Sequence, residues 1–129
     1  MTLEAAPGFV KHPDHPMELV PLSGEYVVLY GGVEIARSDA VISLRESKYP
    51  ERLYLPLSSI NSDYLDTADK ESYCPFKGTA NYWDLCIDGK ILEGALWGYK
   101  APYLECGVIK DYGCFYTELG PFQIDKITS

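Results

Sequence analysis

The chain has no apolar run near the roughly 18 residues needed to cross a bilayer. It also has no cluster of lysines and arginines, no Cys-x-x-Cys pair and only two histidines. Each absence removes a class of function. The N-terminal stretch MTLEAAPGFVKHPDHP has no basic segment followed by an apolar core, so neither export nor membrane anchoring is expected, and the expected location is the cytoplasm. Basic residues number 11 against 19 acidic ones, leaving a formal charge of −8. That balance opposes the phosphate attraction behind nucleic-acid affinity, so neither nucleic acid nor an anionic membrane surface is an expected partner. The four cysteines, Cys74, Cys86, Cys106 and Cys114, are expected to be reduced thiols, since no secretion signal accompanies them. None has a nearby histidine, which weighs against structural zinc.

What is present points to strands. A chain of 129 residues predicts one domain, with residues 1–16 as an N-terminal arm and 17–129 as the core. At this length about two thirds of the unfolded surface can be buried, so folding needs neither disulfide nor metal. Eleven glycines and nine prolines break the sequence into short segments rich in Tyr, Val, Ile and Leu. EYVVLY and VEIARS flank Gly31-Gly32, and YWDLCI and KILEGALWGY flank Asp88-Gly89; both dipeptides suit two-residue hairpin turns.

Alternation gives each strand two faces. Leu53, Leu55 and Leu57 oppose Tyr54 and Pro56, while Trp83, Leu85 and Ile87 oppose Tyr82, Asp84 and Cys86. The expected fold is mainly β, with two antiparallel sheets or a half-open barrel and a core including Val28, Ile42, Leu44, Leu85, Trp97 and Phe115. One short helix is expected near residues 102–112, because Leu104, Val108, Ile109 and Tyr112 follow Pro102 at helical spacing and Gly113 can end it. The polar segment SSINSDYLDTADKES predicts a long loop with a helical turn.

Three ordered motifs, SLRESKYPERLYLPLSSINSDYL, YCPFKG and ALWGYKAPYLECGVIKDYGCFY, resemble the domain-of-unknown-function 427 family, whose small proteins have a β-tent-like fold. The resemblance runs from His12 to Ile124. It maps the family pattern onto Glu46, Tyr49, Pro50, Tyr54, Pro56, Cys74, Pro75, Lys77, Gly78, Trp97, Tyr99, Pro102 and Tyr116. In YKAPYLE, Lys100 and Leu104 occupy a region where members commonly carry prolines, which marks a departure in the part bearing on substrate preference. The resemblance implies no settled activity. A nucleotidyltransferase label attached to the family is not adopted, because the chain has no glycine-serine phosphate loop leading into paired carboxylates for magnesium. Asp63, Asp66 and Asp69 are the nearest candidates, and such a run is also what a solvated face looks like.

The stretch CPFKG is the strongest candidate site. Pro75 restricts the backbone and Gly78 permits a turn that other residues resist, so Lys77 is held in a defined direction. With Glu46 as partner and Tyr54 as a further proton-transfer group, Lys77 is a candidate acid or base; the same pair also suits a salt bridge tying loop to sheet. Tyr82, Trp83, Trp97, Tyr99, Tyr116 and Cys74 are candidate substrate-binding residues, although tyrosine is also a good strand residue and Cys74 a candidate inert core thiol. HPDH offers two imidazoles and a carboxylate as metal ligands, but its prolines describe better a stiff arm laid on the sheet with Asp14 as a cap, and no metal is expected. Two functions are therefore expected to compete. One is a cofactor-independent isomerase, cyclase or lyase acting on a small organic molecule; the other is a non-catalytic module binding a small molecule or a protein. Strand edges that need covering make a homodimer the candidate assembly.

Overall fold

The computed structural model describes residues 3–128. A short helix α1 (Pro7–Lys11) lies in the N-terminal arm and precedes ten strands. These are β1 (Met17–Pro21), β2 (Glu25–Tyr30), β3 (Val33–Ser38), β4 (Ile42–Glu46), β5 (Arg52–Pro56), β6 (Leu65–Cys74), β7 (Gly78–Ile87), β8 (Lys90–Gly98), β9 (Tyr112–Phe115) and β10 (Phe122–Thr128). They form a seven-stranded sheet in the order β1-β4-β5-β9-β8-β7-β6 and a three-stranded sheet in the order β10-β2-β3. Every paired strand is antiparallel, and the two sheets do not close into a barrel.

Both anticipated hairpins form. Gly31 and Gly32 have φ of 55° and 86°, and Asp88 and Gly89 have 51° and 75°; consecutive positive φ angles match the twist of the strands they join. The large sheet buries both faces along its middle strands. Leu55, Leu85, Leu96 and Phe115 meet Val28 and Ile35 of the small sheet in the core between the sheets. On the opposite face Ile42, Leu44, Tyr54, Tyr99, Cys114 and Ile109 form a second cluster. Successive residues of β5, Tyr54 and Leu55, thus enter different cores, as the two-residue period of a strand requires.

The short helix expected near residues 102–112 is a 3-10 helix over residues 104–109 with non-helical backbone at Cys106, and it stops before Tyr112 and Gly113, which belong to β9. With three residues per turn, Cys106 and Ile109 share the buried side, while Leu104 and Val108 are 59% and 58% exposed. The polar stretch after Pro56 makes two 3-10 turns and then becomes β6, ten residues long at the edge of the large sheet. Charge along an edge strand hides the apolar alternation that identifies inner strands, and it discourages pairing with other chains.

All four cysteines are free thiols. Among the described residues no helix is long and apolar enough to cross a membrane.

Gly98 of β8 sits against β9 so closely that an added Cβ would collide with the Tyr112 carbonyl oxygen. Gly98→Ala is expected to destabilise the protein by about 1–3 kcal/mol, the usual range for overpacking. An unchanged midpoint in urea denaturation would contradict this packing.

Candidate functional site

The site lies where the arm, the end of β4 and the β6–β7 turn converge on the second core. Glu46 closes β4, and Ser47 turns the chain with φ of 48°, its N–H donating to the Pro16 carbonyl. Across from it, the CPFKG turn is fixed from several directions. Tyr103 N–H donates to the Lys77 carbonyl at 2.9 Å, Gly8 N–H donates to the Pro75 carbonyl at 2.9 Å, and Cys106 Sγ reaches the Phe76 carbonyl at 3.6 Å. Gly78 adopts φ of 116°, where a side chain is disfavoured. Proline and glycine therefore aim Lys77, as their placement in the sequence suggested.

Lys77 Nζ donates to Glu46 Oε1 at 2.9 Å, and His15 Nε2 lies 2.8 Å from Glu46 Oε2. The three side chains are only 15%, 10% and 18% exposed, in the order Lys77, Glu46, His15. Burial alone would raise the Glu46 pKa, but the hydrogen bonds and charges of Lys77 and His15 outweigh it and hold the carboxyl below its usual value. Glu46 is thus an anion that only accepts, so His15 Nε2 carries a hydrogen and the lone pair of the neutral ring belongs to Nδ1. Phe76 stacks on the imidazole at 3.8 Å with planes 13° apart, and Phe9 meets both rings edge-on.

A second wall rises from β5 and β8. Trp97 Nε1–H donates to Tyr54 Oη at 3.1 Å. Burial raises the Tyr54 pKa well above its ordinary value, so its phenol stays neutral and can donate but not act as a base at neutral pH. Arg52 lies over Trp97 at 5.3 Å and over Tyr116 at 5.5 Å, and Glu118 holds its guanidinium bidentately at 2.7 and 3.0 Å. Between the walls is a cleft of about 380 Å³, within the range of small-molecule sites.

Lys77, Glu46, Tyr54, Trp97 and Cys74 all line this cleft. The other candidates lie elsewhere. Tyr82 bonds Ser72 through its hydroxyl and receives Lys70 over its ring, next to the edge strand. Trp83 packs against the core between the sheets, Tyr99 is buried in the second core, and Tyr116 backs Trp97 edge-on at 5.6 Å. Alternation fixes a side chain's face but not whether that face opens to a cleft, which is why these aromatics looked equivalent in sequence.

His15, Arg52 and Phe76 are cleft residues that the sequence reading passed over as such. Arg52 had a readable signal: it stands two residues before Tyr54 on one strand and so shares its face. His15 stood out only as part of HPDH, and nothing in the sequence linked it to Glu46, 31 residues away. Asp63 lies in a 3-10 turn and Asp66 and Asp69 in β6, apart from the cleft. Among the described residues no group of three His, Cys, Asp or Glu side chains is arranged to hold a metal ion.

Residues 18–129 match the family model described as a domain of unknown function (DUF427), and the chain belongs to that family. No curated protein matches it. His15 and the rest of the arm precede the matched segment.

Because Glu46 is held below its usual 4.5, its ionic contacts contribute stability that is complete above the unfolded value and is lost as pH falls through the folded one. Wild-type protein is expected to lose more stability between about pH 6 and pH 3 than Glu46→Gln, compared by denaturation midpoints. Glu34 and Glu118, held low by Arg37 and Arg52, titrate alike in both proteins. Equal acid losses in the two would contradict an ionised, doubly bonded Glu46.

Proposed function

We propose that the protein is an enzyme that moves a proton on a small organic molecule, of isomerase, cyclase or lyase type, using its own side chains without a cofactor. The observation that carries this is the bridged carboxylate: Glu46 accepts from Lys77 and from His15 while both donors line an aromatic-walled cleft. Both Glu46 oxygens are engaged, so Glu46 serves to position its partners. His15 Nδ1 is the general base. It takes a proton from a carbon acidified by an adjacent carbonyl, and the Lys77 ammonium and the neutral Tyr54 hydroxyl hydrogen-bond to the oxygen on which charge develops. Return of that proton to another atom completes an isomerisation; departure of a leaving group with its electron pair completes an elimination. Neither route changes the oxidation level overall. Trp97 and Cys74 shape the wall against which the substrate lies. The net charge of −8 and the absence of a basic run support action without nucleic acid, and the cytoplasm is the proposed location. The β1 edge of the large sheet is where a homodimer would pair.

A second function, non-catalytic binding, is favoured by one feature: Lys77 and Arg52 already have carboxylate partners without any ligand. Deuterium exchange separates the two. Incubated in D2O with keto acids, ketones and unsaturated acids, and followed by proton NMR, the wild type is expected to accelerate exchange at an activated carbon of at least one compound. His15→Ala and Lys77→Met are expected to reduce that rate by about 100-fold or more, as loss of a general acid or base does. Exchange no faster than buffer across the panel, or full rates in both variants, would overturn the enzymatic assignment in favour of binding.

A further inference from the structure

The cleft joins two chemically different walls, and the difference bears on what it holds. His15, Glu46 and Lys77 form the wall able to handle protons. Arg52, Trp97 and Tyr54 form the other. In a chain of charge −8, the ionisable Arg, Lys, Asp and Glu side chains lining the cleft are two basic ones, Arg52 and Lys77, against one carboxylate, Glu46. Glu46 is spent on Lys77 and His15. Arg52 stands differently. Its partner Glu118 is 49% exposed, so that pair is largely screened by water, while Arg52 itself is 22% exposed. Glu118 takes one N–H from each terminal nitrogen, leaving Nε–H and the remaining N–H groups without a protein acceptor among the described residues. The two-point Glu118 contact and the neighbouring Trp97 and Tyr116 rings already confine the guanidinium, so less side-chain entropy is lost when it binds.

From this we infer that the cleft takes a small monocarboxylic acid with a flat apolar body. Its carboxylate is bound by the free N–H groups of Arg52, its body lies on Trp97, and its far end reaches the Lys77 wall. This rests on the cleft being a small-molecule site, as proposed above, and specifies the class of molecule. Glu118 and Tyr116 are positioning residues for Arg52. A second acidic group on the ligand would face Glu46, so diacids are disfavoured.

The test is a binding titration that does not depend on turnover. trans-Cinnamate and trans-cinnamamide differ essentially in charge, and the Trp97 indole N–H reports cleft occupancy in nitrogen-edited NMR spectra. Wild-type protein at low salt is expected to bind cinnamate about tenfold or more tightly than the amide, the ratio expected of one charge-assisted contact. Added salt should narrow the gap. Arg52→Gln is expected to remove the preference, bringing acid and amide to the same affinity. Arg52→Lys, which keeps the charge but loses the planar fork, should retain only part of it. Equal affinity for acid and amide in the wild type overturns the inference, as does an undiminished preference in Arg52→Gln or no shift with cinnamate up to roughly 10 mM. If Arg52→Gln fails to fold, the wild-type ratio and Arg52→Lys decide. Acid-selective binding without deuterium exchange on any compound would sink the enzymatic proposal and spare this one; equal binding of acid and amide would do the reverse.

Discussion

The carboxylate of Glu46 is the interaction on which the site depends. It lies at the end of an inner strand and accepts from two groups, each 31 residues away along the chain in opposite directions. A nearly buried anion is costly unless hydrogen-bonded on both oxygens, so the carboxylate in effect recruits the arm and the CPFKG turn to the same place. Each recruit is separately secured: the arm through Gly8 and Ser47, and the turn through Tyr103 and Cys106. The cluster is therefore tied to the fold from both sides.

The sheet supplies the rest. Because the large sheet is buried on both faces, β5 sends Leu55 into the core shared with the small sheet and Tyr54 to the opposite side, next to Trp97. Burial keeps Tyr54 neutral, so its hydroxyl remains a hydrogen-bond donor. Arg52, two residues earlier on the same face, gains two aromatic rings and an acidic clamp. One strand thus contributes a cation and a neutral hydroxyl to one wall, and the bridged carboxylate stands opposite. Family membership covers the sheet but not the arm, so the histidine of this cluster comes from outside the matched segment.

Much of this was legible in the sequence, and the remainder was hidden for identifiable reasons. Hairpins at Gly31-Gly32 and Asp88-Gly89 follow from local turn chemistry, and the Lys77–Glu46 pairing follows from the aiming of Lys77 by proline and glycine. The edge strand β6 was hidden by its charge. In the segment 104–109 a three-residue period was read as a 3.6-residue one, which placed Leu104 and Val108 on the inner face with Ile109, where Cys106 shares it with Ile109 instead. His15 was hidden most completely, since only tertiary packing, with Phe76 stacked on its ring, brings it to Glu46.

The most direct measurement is the tautomer of His15, read from nitrogen-15 chemical shifts of the imidazole in wild-type protein and in Glu46→Gln. If Glu46 is the anion that organises the site, the neutral ring in the wild type carries its hydrogen on Nε2 and leaves Nδ1 free, and this preference is lost in Glu46→Gln. A neutral ring protonated on Nδ1, or the same mixture of tautomers in both proteins, would contradict the bridged carboxylate and the proton chemistry built on it.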